Sequence, residues 1–174
     1  MQPTHRAYQA SDRGACIALF ETNVPHFFCE GEQQDFTEFL DVAASRYLVV
    51  LDGGALLACG GFTLSRDAQV ASLCWGMVRR DHQRQGLGAL LLRLRLQAIA
   101  LSTSVRSVRL TTSQHSQGFF ERHGFEVQFL RPDGFAPGLD EVEMKLEATG
   151  ISQQCRTSLK DHAKAGSAAL GSPS

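Results

Sequence analysis

The stretch Val78–Leu92, VRRDHQRQGLGALLL, decides how the chain is read. Before it, Val70-Ala71-Ser72-Leu73-Cys74-Trp75-Gly76-Met77-Val78 is an apolar run that predicts a strand. After it, leucines recur at helical spacing. Between the two, Gln83-Arg84-Gln85-Gly86-Leu87-Gly88-Ala89 sets two glycines one residue apart at a strand-to-helix junction. Glycines there leave backbone N–H groups uncovered by side chains. The first N–H groups of a helix have no internal acceptor, and the aligned peptide dipoles add partial positive charge. A junction of this kind binds anions, phosphate above all, and Arg79, Arg80 and Arg84 add full charges beside it. Two common phosphate loops are excluded. Leu91 stands where the dinucleotide fingerprint needs a third glycine, and no Gly-Lys-Ser/Thr is present. From the glycines alone, a turn that only caps a buried helix fits equally well.

The order Gln-x-x-Gly-x-Gly after a strand ending in valine resembles motif A of the GNAT N-acetyltransferases, whose loop grips the pyrophosphate of acetyl-coenzyme A. A second segment, Ser113-Gln114-His115-Ser116-Gln117-Gly118-Phe119-Phe120-Glu121-Arg122-His123-Gly124-Phe125, is similar to the family's later motif, a short helix ending in Glu-Lys/Arg-x-Gly-Phe. Gly124 is the expected helix stop, where glycine takes a left-handed conformation cheaply. The resemblance covers about residues 4 to 146. It implies an α/β (α+β) fold, with a mixed, mostly antiparallel central sheet of six or seven strands and helices on both faces.

Length and composition agree with one such domain. The chain has 174 residues, 43% of them hydrophobic, enough for a substantial core. A net charge of −1 gives no reason to expect nucleic acid as a partner. The five cysteines form no Cys-x-x-Cys pair and leave one over, which suits a reducing cytosol. No signal-peptide core opens the chain, no run is long enough to span a bilayer, and no metal-ligand spacing is visible, so a cytoplasmic protein without membrane contact is expected.

Along the chain, residues 4 to 9 predict a first strand, and Ser11 or Asp12 can cap a helix through Phe20 that Val24-Pro25 ends. Glu32 to Ala44 predicts a second helix with Phe36, Phe39, Leu40 and Ala43 on one face. Tyr47–Leu51 and Ala55–Leu64 flank the turn Asp52-Gly53-Gly54 and continue into the strand ending at Val78 as an antiparallel meander. The motif A helix is expected from Gly86 to Leu101, then strands over Val105–Thr112 and Glu126–Leu130. Pro132-Asp133-Gly134 and Pro137-Gly138 predict a long turn, and Asp140–Leu146 a closing strand. Residues 147–174, rich in Ser, Ala, Gly and Gln, are expected to be poorly ordered or to dock weakly.

The resemblance also implies a site. The motif A strand and its successor splay apart and receive the thioester arm of acetyl-CoA. The backbone of Trp75, Gly76, Met77 and Val78 would face the pantetheine amides. Arg84, Gln85, Gly86, Leu87, Gly88 and Ala89 would hold the pyrophosphate. Ser113 occupies the place of an asparagine that touches the cofactor arm, and Phe120 that of the usual tyrosine acid. Acetyl transfer to an amine needs a neutral acceptor, yet a lysine-type amine is only ~0.04% neutral at pH 7. Candidates for proton transfer are His115 and Ser116, near Phe120, and Glu30 and Glu32, from the loop between the first two helices. Each also has a plain role in a helix start or exposed loop. Cys74 as a nucleophile is outweighed by its role as buried packing. Phe27, Phe28 and Trp75 would line the acceptor pocket, or else belong to the core. The activity implied is N-acetylation of a small-molecule or protein amine, in a family where homodimers are common. Because Phe120 has no proton to give, a CoA-binding regulatory or sensor module stands as the alternative. In a third reading the glycine loop is only structural, within a sheet-edge dimer.

Overall fold

A computed structural model describes residues 3–42, 46–102 and 104–151. Seven strands, β1 Thr4–Ala7, β2 Tyr47–Asp52, β3 Ala55–Leu64, β4 Val70–Val78, β5 Ser107–Thr112, β6 Glu126–Ala136 and β7 Leu139–Glu147, form one sheet in the order β1-β2-β3-β4-β5-β7-β6. Only β4 and β5 run parallel; every other pair is antiparallel. The helices are α1 Arg13–Glu21, α2 Glu32–Val42, α3 Leu87–Ala100 and α4 Gln114–Glu121. The expected α/β fold, a mixed and mostly antiparallel sheet with helices on both faces, is therefore the one observed.

Two cores follow from the sequence pattern. On one face, Cys16, Leu19 and Phe20 of α1 and Phe36 and Leu40 of α2 pack with Tyr47, Val49, Cys59 and Met77. On the other, Leu92, Leu96 and Ile99 of α3 pack with Ala71, Leu73, Val108, Leu110, Val142 and Met144, and Phe119 and Phe120 of α4 lean on them. Leu73 and Met77 share a sequence parity yet bury on opposite faces. The cause is an irregularity in the β3–β4 ladder: Cys59 pairs with Met77 and Gly61 with Cys74, so Trp75 and Gly76 together face Gly60. One extra residue in a strand turns every later side chain to the other face.

Several boundaries differ from expectation. β5 begins at Ser107, because Arg106 and Ser107 first bond back to the Gln69 carbonyl. The predicted long turn after Leu130 is instead a continuation of β6 to Ala136, with the register shifting between Arg131 and Ala136. Pro132 is tolerated because β6 is an edge strand, where a missing N–H need not break a ladder. Asp133 takes a positive φ of 54° there. Only Pro137-Gly138 remains as the turn, between the paired Ala136 and Leu139. Gly124 has the expected left-handed conformation, φ 82°. Of the residues assigned to the α2 face, Ala43 lies outside the described residues, as does everything after Ile151.

Residues 148–151 form a helical turn that is tied to the fold: the Ala148 N–H donates to the Arg106 carbonyl at 2.8 Å, and Ile151 is buried in the α3-side core. The packed unit thus reaches at least residue 151. Ile151→Ala is expected to lower the unfolding free energy by about 2 kcal/mol, read from urea unfolding; a change below ~0.5 kcal/mol would place the edge of the core at β7.

Candidate active site

The bulge that reverses β4 also opens the sheet. β4 and β5 pair only from Val70–Ser72 to Ser107–Arg109. Beyond that point the two strands part, and no described strand fills the gap between Leu73–Val78 and Leu110–Thr112. Trp75, at the bulge, has φ 46°, the left-handed region that non-glycine residues enter at a cost. Tyr47 holds it there, its hydroxyl donating to the Trp75 carbonyl at 2.9 Å. Burial pushes the Tyr47 phenol well above its usual range, so it stays a donor.

At the far end of β4 the chain makes the glycine-spaced bend. Gly86 caps α3 with φ 84°, and Arg84 is also left-handed, φ 61°. Gly86 supplies its conformation without strain; Arg84 does not, and such outliers gather at ligand sites. Among the described residues, the N–H groups of Arg84, Gln85, Gly86, Leu87, Gly88 and Ala89 have no hydrogen-bond acceptor in the protein. The first intrahelical bond of α3 runs from the Leu90 N–H to the Gly86 carbonyl. A row of unpaired donors at a helix start is the kind of arrangement that suits an anion. Of the three arginines beside it, Arg79 is ion-paired with Asp81 at 3.0 Å, and His82 takes the same carboxylate at 2.7 Å. Arg80 and Arg84 remain without an ionic partner among the described residues, so two of the expected three charges face the bend unneutralised.

Arg95 was not foreseen. Leu91, Leu92, Arg95, Leu96 and Ile99 form the buried face of α3, and the guanidinium, on a residue only 4% exposed, lies under the bulge. A Cβ on Gly76 would stand 2.5 Å from Arg95 Nη1, and one on Gly60 would stand 2.9 Å from Gly76 Cα. Gly60 is therefore required by close approach of backbone to backbone, whereas a side chain at Gly76 would displace the end of Arg95. The Arg95 side chain makes a single long hydrogen bond, Nε to the Leu91 carbonyl at 3.4 Å, and meets no carboxylate among the described residues. Burial depresses its pKa to about 10, partly offset by Cys74, Tyr47 and Cys59. It is still a cation at neutral pH. Its helical position, one turn after Leu91, was the available signal.

The loop between α1 and α2 reaches over this region. Asn23, 2% exposed, donates from Nδ2 to the Val78 carbonyl at 3.1 Å and accepts from Gln83 Nε2 at 2.9 Å. It ties the loop to the end of β4 and to the first residue of the bend, a role that its place two residues before Pro25 does not betray in the sequence. Further on, the His26 ring stacks on His115 with centroids 4.3 Å apart, and the Phe27 ring meets both. Burial, His115 and Arg80 lower the His26 pKa, so this imidazole favours its neutral form.

The remaining expected site residues divide. Ser113 is buried at the start of α4, and its hydroxyl has no partner among the described residues. Ser116 is half-buried one turn on. Glu32 accepts the Cys29 N–H at 2.8 Å, capping the start of α2, while Glu30 is exposed in the preceding loop. Trp75 and Phe28 stack with Phe20 and Phe36 in the aromatic core, whereas Phe27 stands with the histidines. Phe120 packs on Phe119 and Phe125. The Cys74 thiol is pushed up to about 11 by burial, which keeps it protonated and a poor nucleophile. His123 contacts the Phe119 carbonyl at 2.9 Å, at the end of α4. Among the described residues no three His, Cys, Asp or Glu side chains gather as metal ligands.

The chain as a whole matches known proteins. The model of the acetyltransferase (GNAT) family aligns with residues 16–125, more than half of the chain. The chain belongs to the GNAT acetyltransferase family. Among solved structures, the ribosomal-protein-S18-alanine N-acetyltransferase of Escherichia coli is similar with a TM-score of 0.70 at 19% identity, over 84% of this chain and 94% of that one. An acetyltransferase of the family from Streptococcus pneumoniae gives 0.65 at 18%, over 84% and 99%. The yncA protein of Salmonella typhimurium, solved with its cofactor acetyl-CoA, gives 0.68 at 18%, over 84% and 94%. At these identities the likeness is one of fold. Among curated proteins, none matches the chain.

Two outcomes follow from the geometry. A Cβ on Gly88 would meet Phe119 at an ordinary 3.6 Å, so the fold has room for a side chain there, but the open face of the bend does not. Gly88→Val is expected to keep the melting temperature and weaken CoA binding roughly a hundredfold, the scale of a lost charge-assisted contact set, measured by calorimetric titration; unchanged affinity would place the phosphates elsewhere. Arg95→Met removes a buried, unpaired charge. It is expected to raise unfolding free energy by about 1–3 kcal/mol in urea titration, and a loss of similar size would show that the guanidinium braces the bulge.

Proposed function

We propose that this chain is an acetyl-CoA-dependent N-acetyltransferase of the cytoplasm, moving an acetyl group from the thioester to the amine of a small molecule or protein by direct attack. The observation that carries the reading is the row of unpaired N–H groups from Arg84 to Ala89, set where β4 has parted from β5. Those amides, with Arg80 and Arg84, suit a diphosphate. The gap beside Trp75 to Val78 has the extended form that suits a pantetheine arm, with the Ser113 hydroxyl free to bond it. Acetyl-CoA, bound in this way, supplies the acyl group and a thiol leaving group.

The chain's own groups do the rest. His115, in ring contact with His26, takes the proton that the acceptor amine sheds, and the His26 imidazole, held toward its neutral form by burial and its neighbours, can pass it on. Glu32 is spent on the α2 cap, and Glu30 assists only from the exposed rim. No tyrosine stands ready to protonate the thiolate, but a thiol of pKa about 8.5 leaves without one at a modest cost. The Arg95 cation beneath the bulge favours negative charge developing above it. A second reading, a CoA-binding sensor without turnover, draws its weight from Phe120.

Thiol release from acetyl-CoA across an amine panel, run beside thermal shifts with CoA, separates the two. Turnover on an amine together with a shift supports the enzyme, a shift alone supports the sensor, and neither would remove the donor site altogether. Within the same assay Phe120→Tyr is expected to raise kcat roughly tenfold or more by restoring an acid; an unchanged kcat would show that the thiolate departs unaided.

A further inference from the structure

At the point where β4 and β5 stop pairing, the sheet carries a cavity of about 320 Å³. Its lining comes from Ser72 and Leu73 of β4, Arg109, Leu110 and Thr111 of β5, Gln128 of β6, and Glu143 and Met144 of β7. Val108, Leu110, Val142 and Met144 are buried against α3, so the alternate residues Arg109, Thr111 and Glu143 point to the opposite face. No described helix packs over β5, β7 and β6 on that side. Such a volume sits at the small end of the range for small-molecule sites.

The polar side chains of the lining, Ser72, Arg109, Thr111, Gln128 and Glu143, are all exposed on the open side of the cavity. Arg109 lies opposite Lys145 and Thr111 opposite Glu143. Arg109 and Glu143 are thus diagonal neighbours on one face, with Cβ atoms about 7–8 Å apart. Among the described residues neither makes an ion pair or side-chain hydrogen bond, with each other or with anything else. Nearby, Lys145 pairs with Glu147 at 2.5 Å and Arg131 with Glu141, while Glu126, opposite Lys145, makes no ion pair among the described residues. What remains is one guanidinium and one carboxylate, held apart across a pocket whose other polar groups are the free hydroxyls of Ser72 and Thr111 and the amide of Gln128. Both groups are solvated in the free protein, and a ligand that carries the complementary pair of charges would take the place of that water.

We infer that this cavity binds a small amino acid, a molecule with amine and carboxylate close together, as the acetyl acceptor. The inference rests on the acetyltransferase reading for its chemistry but on the cavity for its specificity. Arg109 presents two parallel N–H donors to the carboxylate. Glu143 receives the ammonium, and Ser72 and Thr111 complete its hydrogen bonds. A peptide or protein N-terminus lacks the neighbouring carboxylate and would leave Arg109 unanswered. In the reaction the bound ammonium first gives one proton to the base, the neutral nitrogen forms the bond to the acyl carbon, the carbon–sulfur bond breaks with its electron pair leaving on sulfur, and the second proton passes from nitrogen through solvent to the CoA thiolate.

The test uses the full chain saturated with CoA. Calorimetric titration with the common L-amino acids and β-alanine, each beside its amide and the amine lacking the carboxylate, reads binding without turnover. At least one amino acid is expected to bind tenfold or more tighter than its amide, the scale of one charge-assisted bond. Arg109→Gln should erase that difference, and Glu143→Gln should weaken acid and amide alike. Equal binding of acid and amide, no binding by any amino acid, or a preference that survives Arg109→Gln would overturn the assignment. Parallel mass spectrometry with acetyl-CoA keeps the two readings apart. Equal acetylation of amides and amino acids sinks the pocket and keeps the acetyltransferase. Carboxylate-dependent binding with no product from any amine keeps the pocket and sinks the acetyltransferase.

Discussion

The close approach of three residues, Gly60, Gly76 and Arg95, sets the rest of the molecule. With no side chain on Gly60, β3 comes near enough to the Gly76 backbone for Trp75 and Gly76 to crowd into the space of one residue, and the bare Gly76 leaves room for the Arg95 guanidinium. That single irregularity turns Met77 toward α1 and α2, leaves Val78 beside Leu87 and Leu91, and bends β4 away from β5. The cleft is therefore not carved by loops; it is a fault in the ladder, with a buried cation placed under it. A sheet that paired completely here would be simpler to stabilise and would have nowhere to admit a thioester.

Function and strain coincide along this path. Trp75 and Arg84 both occupy left-handed backbone that their side chains disfavour, and Arg95 is a charge carried into the interior without a counter-ion. Each is costly alone. They lie at successive points of one route, from the bend at the start of α3, along β4, to the bulge, and that common location gives them meaning. The aromatic cluster of Phe20, Phe28, Phe36, Phe39 and Trp75 braces the opposite face.

How much of this could be read from the residues alone depends on what kind of information each feature carries. β3 and β4 came out with the ends expected, because their apolar runs are bounded by turn residues. The α3 start was legible from Gly86 and Gly88, and the α4 stop from Gly124. Features set by tertiary context were not. Pro132-Asp133-Gly134 has the composition of a turn, yet on an edge strand it becomes a bulge inside β6. Gly76 in an apolar strand hinted at the irregularity but gave no sign of its partner, Gly60, sixteen residues earlier. Arg95 looked like one charge among several on a long helix, and only its spacing from Leu91 marked it as inward. The histidine pair joins residues 26 and 115, and no local pattern records such a distance. Glu32, read as a proton acceptor, proved to be occupied by the cap of its own helix.

The Asn23 amide has a mechanical consequence. One side chain grips the carbonyl that ends β4 and the side chain that begins the bend, so the segment carrying His26 and Phe27 is tethered to the glycine-spaced turn. Neither can relax without pulling on the other. Anything that stiffens that turn also settles the roof above the cleft, and a second molecule arriving afterwards meets walls already in place.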